Sequence, residues 1–478
     1  MPDAPSDRVK RLTLVACILG SGIALLDGTI VNVALPAIDQ DLGGGLAGQQ
    51  WVVNGYLLIL GSLILVGGSL GDVFGERRVF ALGVALFGLT SLLCALASSI
   101  ELLVGARALQ GAAGALLTPS ALAVIVSTFS REERGAAIGS WTAWGGIAAI
   151  LGPLAGGELI HLASWRWIFL VNVPFVAICL GLIVAVIPVA EEDGRSHHVD
   201  WIGGLLCALG LGGPVFALIE QPRLGWGSPG VIGPLAAGLV VFAVFLTWEA
   251  RSRAPMLPLS LFARRNFSVG NVETLAMYAG LSILLFLLAL YLQQVAGWSA
   301  LDAGLATLPT TLVMFSLSRL WGRLADRSGP RLFMGLGPLV SAVGMLLMLR
   351  VGRDVDYVTE LLPALLVFAL GLSLTVAPLT AAVLAGVESR QAGIASGVNN
   401  AVARVAGLLG IAVIGAVIGG DLTEGSFHTA MGVSAGLLTL GGVAGALGIR
   451  NPGRAVSAEG CAGGQIAGAA REVAAPSA

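Results

Sequence analysis

Charge is what this sequence has least of for its size. Of its 478 residues, 11% are Asp, Glu, Lys or Arg, whereas 56% are hydrophobic. Soluble proteins carry roughly 25% charged residues on average, so the composition excludes the several soluble domains that this length would otherwise suggest. The charges lie in short clusters, and the apolar runs between them have roughly the 18–25 residues that cross a hydrocarbon core of about 30 Å. The sequence therefore predicts an all-α, polytopic membrane protein.

Lysine, histidine and paired cysteine are also scarce. Lys10 is the only lysine, and an ATP-binding loop of the type G-x-x-x-x-G-K-[ST] needs one after its glycines, so such a loop is excluded. The five cysteines have no paired spacing, and His197 and His198 lie in a polar stretch without a third ligand, so we expect neither disulfides nor a metal site. The cysteines are Cys17, Cys94, Cys179, Cys207 and Cys461. Because no nucleophile or metal motif of an enzyme is present, we expect no catalytic residue and no cofactor. We also expect no nucleic-acid partner.

Fourteen apolar runs are long enough to cross a membrane. They cover residues 12–36, 50–69, 79–98, 102–127, 135–157, 168–189, 201–220, 231–250, 267–292, 302–319, 332–350, 359–386, 393–418 and 429–449. The segments on the side where the chain begins hold about twenty Lys and Arg residues, and those on the other side hold about four. Positive charge accumulates on the cytoplasmic face, so we predict a multi-pass protein of the cell (inner or plasma) membrane with both termini cytoplasmic.

A charged, glycine-punctuated hairpin occurs twice, with the pattern G-x-L-x-D-x-x-G-x-R. The first copy joins spans 2 and 3 and the second joins spans 10 and 11, so the span number shifts by eight between copies. Internal repeats on the scale of half a chain are typical of secondary transporters. The hairpin residues are Gly68, Asp72, Gly75, Arg77 and Arg78 in the first copy, and Gly322, Asp326, Gly329 and Arg331 in the second.

A shift of eight spans implies two six-helix bundles and two inserted helices, spans 7 and 8. We therefore divide the chain into four regions. They are an N-terminal bundle at 1–190, a linker with the inserted transmembrane helices at 191–266, a C-terminal bundle at 267–450 and a cytoplasmic tail at 451–478. The tail is rich in Gly, Ala and Ser without periodicity, which predicts disorder.

Two charges inside the membrane are predicted to meet. Asp27 lies in span 1 and Arg107 in span 4, and counting about 1.5 Å per residue places both in the outer half at similar depths. An aspartate at the bilayer centre costs about 2.5–3.5 kcal/mol on insertion scales, so such a group usually has a partner or a function. The pair either takes part in proton movement or only fastens two helices together. Glu273 is a further acid, about 9 Å inside span 9, that belongs to no recognised motif; it lies at the membrane interface if span 9 starts later.

Span 5 carries a cluster of small residues. Gly152 and Gly156 form a G-x-x-x-G step, and Gly145 falls on the same helical face, which permits close approach of another helix. Pro153 removes a backbone hydrogen bond and bends the helix. Together with Gly157, these residues predict a special packing role for span 5, although glycine packing is common in membrane helices.

Polar and aromatic residues within the spans are candidates for a substrate cavity. For the amides, hydrogen bonding between helices is the alternative, and for the aromatic residues it is packing against lipid. If the aromatic residues line the cavity, it would tolerate cations. The candidates are Asn32, Asn54, Tyr56, Gln110, Trp141, Trp144, Asn399 and Asn400.

The hairpins, the glycine cluster and the stretch Leu26–Pro36 together resemble the major facilitator superfamily. Within it, the chain resembles the fourteen-span drug:proton antiporters of the EmrB/QacA type, over about 12–450. The resemblance implies that Asp27 and Arg107 take part in proton coupling, that the hairpins act as cytoplasmic gates, and that span 5 packs against the other bundle, as in exporters. Val73 departs from the family, which often has a basic residue there, as at Arg327.

The resemblance also implies a function. We expect an exporter that uses the proton gradient, without a cofactor, to move hydrophobic or amphipathic small molecules such as drugs or antibiotics. The alternative is a dedicated exporter of one metabolite, such as an endogenous antibiotic, an amino acid or a siderophore. The expected partners are the substrate, protons and the lipid bilayer. We expect a monomer, with a periplasmic adaptor in a Gram-negative cell.

Overall fold

The computed structural model describes residues 6–187, 199–385, 387–388, 391–419 and 421–451. Within these ranges all regular structure is helical, and fourteen helices are long and apolar enough to cross a membrane. The predicted all-α fold with fourteen spans is thereby confirmed. His197, His198, Cys461 and the predicted disordered tail beyond 451 lie outside the described residues.

The helices keep the predicted span numbers but extend further at their ends. In order, they are Asp7–Leu42, Gly45–Phe74, Glu76–Ala95, Ile100–Thr128, Glu132–Leu162, Trp167–Val186, Trp201–Leu224, Pro229–Arg251, Arg265–Gln294, Ala300–Ser328, Arg331–Arg350, Tyr357–Leu384, Ala392–Ile418 and Glu424–Gly448. The extensions arise because charged and polar residues continue a helix beyond its apolar part. Ser99 accepts a hydrogen bond from the Leu102 amide and starts span 4, and Ser130 with Glu133 forms a capping box that starts span 5.

Each bundle uses the same helix pairs. In the N-terminal bundle, span 1 packs against spans 5 and 6, span 4 against spans 2 and 3, and span 3 against span 6. In the C-terminal bundle, span 9 packs against spans 13 and 14, span 12 against spans 10 and 11, and span 11 against span 14. Every pair in the second set is a pair in the first set shifted by eight. The repeat seen in the sequence is therefore a repeat of the fold.

The inserted helices lie beside the place where the two bundles meet. Spans 7 and 8 pack on each other, and span 7 also packs on spans 2 and 13, which contact one another. Trp51 of span 2 anchors this contact, because its indole Nε1 donates to Oε1 of Glu220 at 3.0 Å and its ring lies 5.9 Å from that of Phe216. The inserted pair is thus held against one element of each bundle.

Candidate functional site

Asp27 and Arg107 form an ion pair inside the N-terminal bundle. Nη1 of Arg107 lies 2.5 Å from Oδ2 of Asp27, and the two side chains are 1% and 0% exposed. The sequence-based prediction of a buried pair between spans 1 and 4 is confirmed. Since neither charge reaches solvent, neutralising one of them leaves the other buried without its ionic partner.

Other spans also contribute to the carboxylate's surroundings. Oδ1 of Asp27 accepts hydrogen bonds from Nε2 of Gln110 at 3.0 Å and from Nδ2 of Asn172 at 3.3 Å. Both amides also donate to Oγ of Ser91, at 2.9 and 3.3 Å. The network therefore joins spans 1, 3, 4 and 6. Sequence reasoning missed Ser91 and Asn172, and the available signal was the presence of polar residues in otherwise apolar runs.

Arg107 has contacts that do not depend on Asp27. Its Nε donates to the Val52 carbonyl at 3.2 Å, and its Nη1 donates to Oε1 of Gln110 at 2.6 Å. The guanidinium carbon lies 4.3 Å from the centre of the Tyr56 ring, which is cation–π distance. Arg107 is therefore partly stabilised even when the carboxyl group of Asp27 is neutral. The guanidinium group keeps polar and aromatic partners that are independent of the carboxylate.

Replacement of Arg107 by alanine should destabilise the protein strongly. Removing one partner of a buried ion pair costs about 3–5 kcal/mol, because the other charge stays buried without compensation. Thermal unfolding of the purified protein in detergent measures the effect. Arg223→Ala is the matched control, because Arg223 is 73% exposed and pairs with Glu220 on the same helix, where an ion pair contributes about 0–1 kcal/mol. Equal losses in the two variants would contradict a special role for the buried pair.

The two hairpins are built alike. Gly75 and Gly329 have φ values of 89° and 85°, in the left-handed region that favours glycine. Nη2 of Arg77 donates to the Val184 carbonyl of span 6 at 3.0 Å, and Nε of Arg331 donates to the Ala446 carbonyl of span 14 at 2.7 Å. Because spans 6 and 14 are equivalent, these arginines fasten each hairpin to its own bundle.

The other hairpin residues lie at the same ends of the bundles. A Cβ atom on Gly68 would lie 3.8 Å from Cβ of Pro119 in span 4, and one on Gly322 would lie 3.4 Å from Cβ of Ala377 in span 12, the equivalent helix. Asp72, Arg78 and Asp326 are exposed. The hairpin contacts described here lie within each bundle, so a gate between bundles stays a prediction.

The glycines of span 5 face two different partners. A Cβ atom on Gly145 would lie 3.0 Å from Cδ1 of Leu25, and one on Gly156 would lie 2.6 Å from Cγ1 of Ile30, both in span 1. Gly152 also faces span 1, where a Cβ atom would overlap the Thr29 side chain. Packing of these three glycines against the other bundle was therefore a wrong expectation. They lie on one helical face, as predicted, but that face is turned toward their own bundle.

Pro153 and Gly157 do contact the other bundle. A Cβ atom on Gly157 would lie 2.5 Å from Cα of Leu301, and one on Gly304 would lie 2.6 Å from the Pro153 carbonyl oxygen. Leu301 and Gly304 belong to span 10. Further along span 5, a Cβ atom on Gly146 would lie 2.8 Å from the Phe315 ring. Glycine thus lets the backbones of spans 5 and 10 touch at the predicted outer end.

A cavity of about 690 Å³ lies between the bundles, lined by spans 1, 5, 9, 10 and 12. Its volume suits a drug-sized molecule, since such sites measure about 300–1,000 Å³. Its lining extends from Gly304 at the predicted outer end to Gly139 and Arg319 in the predicted cytoplasmic half. The polar lining residues are Thr29, Asn32, Thr142, Thr307, Thr310, Thr311, Ser318, Arg319 and Thr380. Spans 5 and 10 of the two bundles touch at the predicted outer end of this cavity.

Of the eight candidate cavity residues, Asn32 lines this cavity. Gln110 and Tyr56 lie at the ion pair instead, and Asn54 is fully buried. The remaining four also lie away from the lining. Trp141 donates to Oγ of Ser21 at 2.6 Å, Asn399 donates to Oγ1 of Thr274 at 2.7 Å, Trp144 is 53% exposed and Asn400 is exposed.

The expectation of an aromatic, cation-tolerant cavity was therefore wrong for these tryptophans and for Tyr56. Trp141 lies on the face of span 5 that meets span 1, whereas the next residue, Thr142, faces the cavity. The alternative of hydrogen bonding between helices is confirmed for Gln110 and Asn399. These two amides are bonded within their bundles rather than offered to a ligand, whereas the buried amide of Asn54 has no hydrogen-bond partner among the described residues.

A family model described as Major Facilitator Superfamily matches residues 17–411 and 273–464. The chain is 35% identical over 411 residues to the methylenomycin A resistance protein of Bacillus subtilis (strain 168), which covers 85% of this chain and 87% of that protein. It is 37% identical over 412 residues to the puromycin resistance protein pur8 of Streptomyces alboniger, covering 84% and 81%. It is 35% identical over 413 residues to the tetracenomycin C resistance and export protein of Streptomyces glaucescens, covering 85% and 75%.

Solved structures share the fold at low identity. A crystal structure of the peptide transporter POT in complex with sulfate has a TM-score of 0.69 and 15% identity, covering 92% of this chain and 95% of that one. A bacterial homologue of the human lysosomal transporter Spinster, in an inward-facing and unoccupied conformation, has a TM-score of 0.66 and 15% identity, covering 93% and 97%. These likenesses concern the arrangement of the helices.

Proposed function

The chain belongs to the Major Facilitator Superfamily, and from that premise we propose that it exports hydrophobic or amphipathic small molecules, drugs or antibiotics among them, in exchange for protons. The relatives named above are resistance or export proteins, which favours efflux. The observation that carries the proposal is the buried Asp27–Arg107 pair, in which the carboxyl group is held by donors from spans 4 and 6. A carboxylate within a membrane span is costly, so it usually has a partner or a function.

The contacts of span 1 link Asp27 to the cavity and to the other bundle. Asp27 lies two residues from Thr29 and five from Asn32, which line the cavity on the same helix. The glycine face of span 5 packs on this helix, and the end of span 5 meets span 10 of the other bundle. When the carboxyl group gains a proton, its attraction to Arg107 weakens, and the shift of span 1 reaches both the cavity and the contact between bundles.

In the proposed cycle, the two bundles rock around the central cavity. Protons from outside load Asp27 and favour release of the substrate, and loss of the proton to the cytoplasm restores the affinity for substrate. We place the protein in the plasma membrane, with both ends of the described chain in the cytoplasm. The proton gradient is the driving force, and the protein acts as a monomer.

A dedicated exporter of one metabolite is the second candidate. It is favoured by the relatives' names, since several of them specify a single antibiotic. The two candidates share the fold and the proton site, so only the range of substrates separates them. A broad exporter moves several unrelated amphipathic compounds, whereas a dedicated one moves one compound and its near analogues.

Reconstitution in liposomes with an imposed pH gradient tests the proposal. We expect liposomes that contain the protein in the inside-out orientation to accumulate several amphipathic compounds, ethidium included. The accumulation should be lost when an ionophore collapses the gradient. Transport of a single compound class from a panel would favour the dedicated exporter. Transport that is unaffected by collapse of the gradient would reject proton coupling.

A further inference from the structure

Arg319 is the charged side chain of the central cavity. It lies in span 10, nine residues before the helix ends at Ser328, which is about 14 Å along the axis. The charge pattern of the sequence counts Arg319 with the positive residues of a cytoplasmic loop. The structure instead places it within the helix, exposed to the cavity between the bundles.

The charge of Arg319 is not balanced by its surroundings. The other residues of the cavity lining are uncharged, and within the described part of the chain Arg319 has no salt bridge. Asp27 of span 1 does not balance this charge, because Asp27 is fully buried and bound by Arg107. A single cation between low-dielectric walls attracts anions into the cavity.

One further polar group of the lining, the side-chain amide of Asn32, is available to a ligand, because no hydrogen bond to a described residue satisfies it. Oγ1 of Thr310 has no hydrogen-bond partner among the described residues, but the atom is buried and closed to a ligand in this arrangement. Most other hydroxyl groups of the lining are bonded to carbonyls of their own helix, as Thr142 is to Ile138 and Thr380 to Val376.

Arg319 lies nine residues from the predicted cytoplasmic end of span 10, whereas Asn32 lies ten residues from the predicted outer end of span 1. A molecule that reaches both must be elongated. Between them the wall is apolar, with Met314 and Phe315 on span 10 and Leu281 and Leu285 on span 9. The lining therefore combines one cationic end, an apolar middle and a neutral hydrogen-bonding end.

Resting on the proposed export function, we infer that the preferred substrates are elongated amphipathic acids, with a carboxylate, sulfonate or ionised phenol bound by Arg319. The guanidinium group offers several N–H donors in a plane that matches a carboxylate. Asn32 binds a carbonyl or hydroxyl group at the other end. The lining therefore favours anionic substrates, whereas a wall formed by the tryptophans and Tyr56 would have favoured cations.

Two xanthene dyes of similar shape test the inference, the anionic fluorescein and the cationic rhodamine 6G. Fluorescence polarisation with the purified full-length protein measures their binding. We expect fluorescein to bind at least about tenfold more tightly than rhodamine 6G, which is about 1.4 kcal/mol. Arg319→Gln should remove this preference, and Arg319→Lys should retain part of it, because lysine keeps the charge without the planar fork.

The matched control is Arg323→Gln, which makes the same change one turn further along span 10, at an exposed residue outside the cavity lining. We expect it to leave the preference intact. Tighter binding of rhodamine 6G by the unmodified protein would overturn the inference. So would equal weakening of fluorescein binding by the Arg319 and Arg323 variants, because that result would assign the effect to general surface charge.

Export of the same dyes from liposomes separates this inference from the proposed function. Binding that depends on Arg319 without gradient-driven export of either dye would support the binding site and reject the exporter. Export of rhodamine 6G alone, unchanged in Arg319→Gln, would support the exporter and overturn the preference for acids. Export of fluorescein that falls at least about tenfold in Arg319→Gln would support both.

Discussion

Asp27→Asn should abolish export driven by a proton gradient, with a loss of at least about 100-fold in initial rate. Asparagine neither gains nor loses a proton, so one step of the cycle is missing. The substitution keeps the shape of the side chain and an oxygen that accepts from Gln110 and Asn172. Arg107 retains its bonds to the Val52 carbonyl and to Gln110, so we expect the protein to fold.

The distinguishing measurement compares two modes of transport in the same liposomes. Accumulation against an imposed pH gradient should be lost in Asp27→Asn. Exchange of labelled for unlabelled substrate without a gradient should persist, because the variant resembles the protonated state. Asp41→Asn is the control, since Asp41 is on the same helix and pairs with Arg166 at its exposed end. If Asp27→Asn accumulates substrate at the rate of the unmodified protein, Asp27 does not couple transport to protons.

Gly157→Val should prevent the bundles from closing at the predicted outer end. A Cβ atom on Gly157 would already lie 2.5 Å from Cα of Leu301, which is backbone and cannot move aside alone. The two helices must therefore separate. We expect export to fall at least about tenfold and the cavity to become open to the outside. Gly304→Val should act in the same way, because its Cβ atom would meet the Pro153 carbonyl.

Labelling of an introduced cysteine measures the opening. Thr307 lines the cavity, and the four described cysteines are buried, so Thr307→Cys with Cys461→Ser gives a defined target. A membrane-impermeant maleimide added from outside should react about tenfold faster when Gly157→Val is present. Gly181→Val is the control, because a Cβ atom there has no neighbour within 4 Å. Unchanged labelling with Gly157→Val would show that this contact does not close the cavity.

The sequence predicts the features that depend only on the order and spacing of residues along the chain. Apolar runs give the fourteen spans, a repeated hairpin gives the equivalence of the bundles, and residue counts along spans 1 and 4 bring Asp27 and Arg107 to one depth. The rotation of each helix about its axis, which decides the neighbour that each residue faces, does not follow from spacing along the chain. Neighbouring residues of span 5 show the difference, since Gly156 faces span 1 whereas Gly157 faces span 10.

The same limit explains the cavity. Trp141 is a residue type expected in a drug-binding site, but the rotation of span 5 directs its side chain toward span 1 of the same bundle. Arg319 is a residue type expected at the cytoplasmic end of a span, but span 10 continues as a helix for nine residues beyond it. Ser91 and Asn172 are visible in the sequence as polar residues in apolar stretches, but only the packing of four spans shows that they lie at the Asp27 carboxylate.

The position of the inserted helices has a consequence for how lipophilic compounds arrive. Two bundles that rock around a cavity leave two lateral seams toward the lipid, one at spans 2 and 13 and one at spans 5 and 10. Span 7 packs on both helices of the first seam, so protein rather than lipid covers it. The inserted helices make no comparable contact with spans 5 and 10 among the described residues. For the proposed export of lipophilic compounds, we therefore expect entry from the bilayer through the seam of spans 5 and 10 alone.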